Sequence, residues 1–343
     1  MANLELVVAG ALTTVQDAGR KGFAAKGYPE CGAADQYAMQ LANVLAGNGA
    51  GSDTAVLECT LMGASVKATE AVLVAIAGAI CTPTVNGAAV PMFAPILLKA
   101  GDLLALGACK TGLRSYLAVY GGIAVPAVMG SRATDTKCGI GGLDGRALQV
   151  GDILPLVDKA CGKTAEKAFA KLQKTAKKHK FSQVAGLTEA WLQQSICKSK
   201  WQGGKRSPIL RVVLGPQDEA FTAAGIATFT STLYPLTVDC NRMACKLKGA
   251  PIESVNGSDI ISDGIVAGSI QVASDGQPIV MLADHQTTGG YAKIATVIPP
   301  DVSVLAQLRP GDTVAFATVS AEEAVDVCRK QAKKLEWLEE QLS

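Results

Sequence analysis

With 343 residues, 49% of them apolar, 36 glycines and only 5% aromatic residues, the chain is long enough for two domains, each with a core of Val, Ile, Leu and Ala. A formal net charge of +2 gives no argument for nucleic acid or an anionic membrane surface, and no segment reaches the roughly 18 uninterrupted apolar residues of a membrane span. The start, MANLELVVAGAL, lacks a basic region and carries Glu5, which argues against a secretory signal and makes the cytoplasm the expected location.

Up to residue 157 the pattern is that of short strands. Leu4–Val8, Ala71–Ile76, Ile96–Lys99, Leu103–Leu106 and Tyr116–Val119 are apolar runs bounded by Gly, Pro, Asn or Asp. One helix interrupts them: Asp35 is its expected cap, Ala38, Leu41, Ala42 and Leu45 share a face, and Gly47 ends it. The phrase Gly-Asp followed by an apolar strand occurs three times, in AGDLLALG, VGDILPLV and PGDTVAFA, and suggests one β-corner built repeatedly.

Residues 158–206 differ. Lys171, Lys174, Lys177, Lys178 and Lys180 crowd together while Ala165, Ala168, Phe169, Leu172 and Ala176 keep helical spacing. A second short amphipathic piece is expected around Ala190–Ile196, with Gly203 and Gly204 as a flexible exit. The segment reads as a helical connector whose lysines form a solvated face or meet an acidic partner. From Pro208 the β pattern returns, with RVVLGPQDEAF predicting a strand, a turn and a helix start near Asp218. A last helix follows Ser320, with a Ser320/Glu323 capping box and Val325, Cys328, Ala332 and Leu335 as its apolar stripe. The expected organisation is a β-rich domain over 1–157, a connector over 158–206, a second β-rich domain over 207–319 and a terminal helix over 320–343.

The ten cysteines contain no C-x-x-C pair, and only His179 and His285 could supplement them, so they read as buried thiols of a reduced compartment and no metal site is expected. Polar chemistry concentrates in three places. The run from Thr13 to Asn48, punctuated by five glycines, carries Gln16, Asp17 and Arg20; Asp17 and Arg20 either pair with each other or clamp a substrate with amide and carboxylate groups. The block from Gly121 to Asp152 carries Arg132 after Gly130-Ser131, then Gly141 and Gly142, and reads either as hairpin turns or as an anion cradle. It is no Walker loop, because G-x-x-x-x-G-K-[ST] is missing. The third place is ADHQTTGGYAKIATV, in which Gln286, Thr287, Thr288, Gly289, Gly290 and Tyr291 offer hydrogen bonds and Lys293 can neutralise developing charge. There His285 is either a proton carrier or an ordinary polar side chain at a domain seam. Arg242 is a further candidate, either an anion ligand or the partner of Asp239.

Three motifs in order, TTVQD-x-GR with the later GAAD and LAGN, GG-x-x-GR-x-L-x-x-GD, and QTTGGY-x-K-I-AT-V, make the chain resemble the biotin-dependent carboxyltransferase family, also called allophanate hydrolase subunit 2-like. The resemblance covers nearly everything except 158–206 and the last twenty-odd residues. It implies a mainly β fold with flanking helices (α+β), built as two tandem cyclophilin-like β-barrel domains. It also implies a partner, an allophanate hydrolase subunit 1-like protein (the B-type subunit of a 5-oxoprolinase), with an active site composed between the two proteins.

Within that family, free-standing bacterial members look like the C-type subunit of an ATP-dependent 5-oxoprolinase, which opens a lactam to glutamate together with an A-type subunit. Other members serve as carboxyltransferase parts of urea carboxylases, or antagonise a kinase inhibitor by binding it. The resemblance thus implies a small amide or lactam substrate and ATP with Mg bound by the complex, on this chain or on a partner. No A-M-K-M sequence for biotin attachment is present, so no biotin is expected on this chain. On this reading Lys293, Gln286, Asp17 and His285 are the expected catalytic residues. Gln16, Arg20, Arg132, Gly141, Gly142, Arg242 and Thr287 through Tyr291 are expected to bind substrate. Two departures bear on substrate identity: His285 stands where the family usually has Arg, and Asn241 replaces the acidic neighbour of Arg242.

Overall fold

The computed structural model describes residues 2–178, 199–202 and 205–342. It divides into two units, one comprising 2–21, 31–178 and 332–342 and the other 22–30, 199–202 and 205–331 of the described residues. The fold is mainly β with flanking helices. The expected short helix around Ala190–Ile196 and the Gly203-Gly204 exit lie outside the described residues.

In the first unit two antiparallel sheets enclose one core. One runs in the spatial order Ile153–Pro155, Asn3–Val8, Ser65–Ala68, Leu103–Ala105, Thr84–Val85, Ala88–Ala89; the other runs Leu12–Gln16, Val56–Thr60, Thr111–Val119, Val72–Ile80, Pro95–Leu98. Leu4, Leu6, Val66 and Leu104 from the first sheet meet Leu57, Val74, Ile76 and Leu117 from the second, all essentially solvent-free. At roughly 1.5–3 kcal/mol for each large apolar side chain removed from water, these residues are the main support of the unit.

The strand Val72–Ile80 is buried on both faces because the helix Gln36–Leu45 covers its outer side. That helix is capped as expected: the Asp35 carboxylate accepts from the Ala38 amide at 2.9 Å, and Gly47 leaves the helix in the left-handed region at φ +87°.

The second unit contains a closed barrel. Lys205–Leu214 pairs with Lys293–Val297, and the ring continues through Ser269–Val272, Pro278–Met281, Ala244–Leu247, Tyr234–Cys240 and Thr313–Thr318. A parallel pairing of Thr313–Thr318 with Lys205–Leu214 closes it. Phe229 stacks on Phe316 at a centroid distance of 4.6 Å, and Tyr234 lies tilted to Phe316 at 5.8 Å. Asp259–Gly264 and Thr288–Tyr291 form a separate two-stranded ribbon.

The repeated β-corner is real. Gly101, Gly151 and Gly311 take φ of +87°, +91° and +88°. The carboxylate of the following Asp accepts the amide three residues back: Lys99 to Asp102 at 2.7 Å, Gln149 to Asp152 at 2.8 Å and Arg309 to Asp312 at 2.8 Å. Each corner launches a strand. Two stand in the first unit and one in the second.

Two expectations at helices are corrected. The helix after RVVLGPQDEAF spans Ala223–Ser231 and is capped by Thr222 through the Gly225 amide, while Asp218 belongs to a short 3-10 turn before it. The terminal helix, Ala321–Leu342, does carry the Ser320/Glu323 capping box. Its expected apolar stripe holds at the buried Leu335 and the half-buried Cys328 but fails at two positions. Val325 is 45% exposed and Ala332 is also exposed, while Leu335, Leu338 and Leu342 are buried. The hydrophobic face is set by where the helix lands, and a 3-4 pattern written one step earlier in the sequence does not reveal that. Helix Lys163–Lys178 buries Ala165 and Leu172 and leaves Lys167, Lys171 and Lys174 outward, the solvated-face reading of its lysines.

Candidate functional site

In the first unit the polar residues of the Gln16–Arg20 turn are buried and knitted to a segment more than a hundred residues away. Asp17 is the hub. Its Oδ1 accepts the Gly19 amide at 2.9 Å and the Ser131 hydroxyl at 2.7 Å, and its Oδ2 accepts the Arg132 amide at 2.5 Å. The donors of the Gly130–Arg132 turn are thereby engaged by a carboxylate of the chain itself. Arg20 and Asp17 do not pair with each other. The Arg20 guanidinium instead donates to the carbonyls of Val128 at 3.2 Å and Ala133 at 2.9 Å, and Gln16 Nε2 donates to the Thr134 carbonyl at 3.2 Å. Arg132 is half-buried, with its Nε on the Val125 carbonyl at 2.9 Å.

Gly141 and Gly142 bring the returning chain against this segment. Both have positive φ, and a Cβ on either would stand 2.0 Å from an oxygen, of Ala133 or of Thr134. Among the described residues, Gln16 Oε1, Arg20 Nη1 and Asp135 Oδ2 are buried without a partner, so the turn keeps hydrogen-bonding capacity in reserve.

A second buried network lies beside it, and the sequence reading missed it. Glu58 Oε2 accepts the Ala34 amide at 2.8 Å and the Tyr116 hydroxyl at 2.9 Å, Tyr116 accepts the Asp35 amide at 2.8 Å, and Arg114 stands 3.7 Å from Glu58. These groups fix the mouth of helix Gln36–Leu45. Burial, followed by the neighbouring charges of Glu58 and Asp35, pushes the Tyr116 phenol well above its ordinary value.

In the second unit the motif around residue 290 falls partly in a loop and partly in the ribbon. Arg242 forms a two-point pair with Asp284, Nε to Oδ2 and Nη2 to Oδ1 both at 2.8 Å, so its carboxylate partner is Asp284. Asp239, the alternative partner, faces Lys246 on the surface at 3.5 Å. His285 is buried, and its Nδ1 donates to the Gln286 carbonyl at 2.7 Å, which leaves the proton off Nε2 in the neutral ring. Gln286, Thr287, Gly289, Gly290 and Tyr291 are half-buried and Thr288 is exposed. A Cβ at Gly289 would stand 2.6 Å from the Gln271 side-chain nitrogen and 2.7 Å from Ile265 Cδ1, so both side-chain ends would have to shift.

Lys293 is 2% exposed, and its ammonium donates to Asp263 Oδ2 at 2.6 Å and to the Gly264 carbonyl at 3.0 Å. Gln217 ties the pair together: its Nε2 donates to Asp263 Oδ2 at 3.0 Å, while its Oε1 accepts the Lys293 amide at 3.1 Å. Hydrogen bonding from Lys293 first, then from Gly264 and Gln217, holds the Asp263 carboxyl down at about 2. Neither Asp263 nor Gln217 was singled out in the sequence. The only local signal is an Asp-Gly at the end of a ribbon strand, which ordinarily marks a turn.

None of the described cysteines forms a disulfide, and burial pushes the thiols of Cys59 and Cys161 up to about 11 and that of Cys81 up to about 12. Among the described residues no three His, Cys, Asp or Glu side chains group to hold a metal ion, and no helix is long and apolar enough to cross a membrane.

A fold of paired sheets and a closed barrel, with buried Gln, Asp and Arg in one unit and the QTTGGY-x-K ribbon in the other, is that of a carboxyltransferase module. The chain belongs to the family described as carboxyltransferase domain, subdomain A and B, whose model matches residues 26–318. More particularly, it is 37% identical over 335 residues to the C-type subunit of the Escherichia coli 5-oxoprolinase, covering 98% of this chain and 97% of that one. To the protein of the same name from Haemophilus influenzae it is 30% identical, covering 92% and 91%. The Kluyveromyces lactis urea carboxylase superposes with a TM-score of 0.81 at 26% identity, matching 98% of this chain but 29% of that larger one.

Proposed function

We propose that the chain is one component of an ATP-dependent assembly that opens 5-oxoproline to glutamate, acting with an allophanate hydrolase subunit 1-like protein and an A-type 5-oxoprolinase subunit. The observation that carries this reading is end-to-end similarity to two chains named as the C-type component of 5-oxoprolinase, against likeness to urea carboxylase over under a third of that protein. The polar inventory suits such a substrate, a cyclic amide bearing a carboxylate. Gln16 Oε1 and Arg20 Nη1 hold unspent hydrogen-bonding capacity in one unit. In the other, the half-buried Gln286 and Thr287 precede the Gly289-Gly290 strand and the Lys293–Asp263 pair. His285 has its Nδ1 engaged by the Gln286 carbonyl, so Nε2 is the ring nitrogen left to meet a substrate.

The test is reconstitution: co-expression with the two partner proteins and an assay of 5-oxoproline-dependent formation of ADP and glutamate. Turnover that needs all three proteins supports the reading. A stable complex without turnover sinks it. The second reading, a carboxyltransferase component working with a separate biotinylated protein, is favoured by the superposition on urea carboxylase. It predicts turnover that depends on bicarbonate and is abolished by avidin.

A further inference from the structure

The ion pair of the second unit is asymmetric. Lys293 is 2% exposed, whereas Asp263 is 54% exposed. A buried cation behind an open carboxylate is arranged to present the carboxylate. The Asp263 side chain is held by three donors: the Lys293 ammonium at 2.6 Å and Gln217 Nε2 at 3.0 Å on Oδ2, and the Gly264 amide at 2.7 Å on Oδ1. A carboxylate has about four lone-pair sites, so one acceptor site remains, on Oδ1. The surroundings are open. A Cβ built on Gly264 would meet nothing within 4 Å, and Asp263 stands opposite Gly289 in the ribbon, directly beside the Thr288–Tyr291 motif.

We propose that Asp263 is a further group of this unit that touches substrate, accepting the N–H of a small amide, with Lys293 and Gln217 as residues that position its carboxylate. This rests on the reading of the chain as part of an amide-processing enzyme, and it deepens that reading. A carboxylate held ionised far below neutral pH is a poor general base, so its use is recognition. A lactam and urea each carry an N–H able to donate to such an acceptor. An N-alkylated ring amide carries none.

The experiment pairs Asp263→Asn with removal of the substrate N–H. Isotope-labelled chain is titrated with 5-oxoproline, with urea and with N-methyl-5-oxoproline while the Gly264 amide resonance, bonded to Asp263 Oδ1, is followed. In the wild type Gly264 responds to 5-oxoproline or urea and at least roughly 10-fold more weakly to the N-methyl compound, as expected for loss of a charged hydrogen bond. In Asp263→Asn that discrimination collapses, and Asp263→Glu restores part of it. In the reconstituted assembly Asp263→Asn raises KM roughly 10- to 100-fold with a smaller change in kcat. Equal response to both lactams in the wild type, no response at Gly264 to any of the three, or undiminished discrimination in Asp263→Asn overturns the proposal. If Gly264 responds but the assembly does not turn 5-oxoproline over, the oxoprolinase reading falls while the role of Asp263 stands.

Discussion

Asp17 illustrates how a single carboxylate fixes a turn. Three donors converge on it from Gly19, Ser131 and Arg132, and all are buried or half-buried. Replacing it with Ala strands these donors, each at roughly 1–3 kcal/mol when no water replaces the partner. We therefore expect Asp17→Ala to cost about 3 kcal/mol or more, read as a lower denaturation midpoint at unchanged slope. A loss under about 1 kcal/mol would mean that water enters the turn. Asp263 gives the pH prediction. Its folded value of about 2 lies below the ordinary value of about 3.9 for an unfolded Asp. Its stabilising contribution is therefore complete above pH 4 and lost as pH falls through 2. A carboxyl-carbon titration should place the midpoint near 2 in the wild type and closer to 4 in Lys293→Met. A wild-type midpoint near 4 would remove the ion pair from the account.

At the scale of elements, helix Gln36–Leu45 depends on groups that no local pattern shows. Its Asp35 cap was visible in the sequence, but the Glu58–Tyr116–Arg114 network beneath its mouth was not, because Glu58 and Arg114 lie in different strands far apart in the chain. Tyr116→Phe leaves the Asp35 amide and Glu58 Oε2 each short of a partner and should cost about 2–3 kcal/mol. Asp35→Ala, which removes the cap, should cost about 1 kcal/mol. The reverse order, measured by chemical denaturation, would show that the network contributes little. The ribbon of Asp259–Gly264 and Thr288–Tyr291 has only two strands, and Ile261 at its centre is 94% exposed. Its amides should exchange with solvent faster, by orders of magnitude, than those of Lys293–Val297 in the closed barrel. Equal protection would place the ribbon within the barrel's cooperative unit.

At the scale of the molecule, the residues expected to carry chemistry fall into two sets, one in each unit. Gln16, Asp17, Arg20, Arg132, Gly141 and Gly142 stand in the first, and Arg242, His285 through Tyr291 and Lys293 in the second. Lys293→Ala should sharply lower turnover of the reconstituted assembly while co-purification with the partners is retained. Full activity in that variant would remove Lys293 from the machinery.

Short-range chemistry was legible from the sequence by itself. A positive φ at glycine, a carboxylate within reach of an amide three residues away and a cap before an apolar face all involve neighbours in the chain. The three Gly-Asp corners, the Asp35 cap and the Ser320/Glu323 box therefore appear where the sequence placed them. The mainly β class was legible for the same reason, and the family from its three motifs. Only the tertiary structure decided the partners. Asp17 took Ser131 and Arg132 rather than Arg20, Arg242 took Asp284 rather than Asp239, and Lys293 took Asp263 and Gln217. Buried polar groups choose whichever partner the packed sheets bring within 3 Å, and that proximity comes from strand pairing across tens to a hundred residues, which carries no mark in the local pattern.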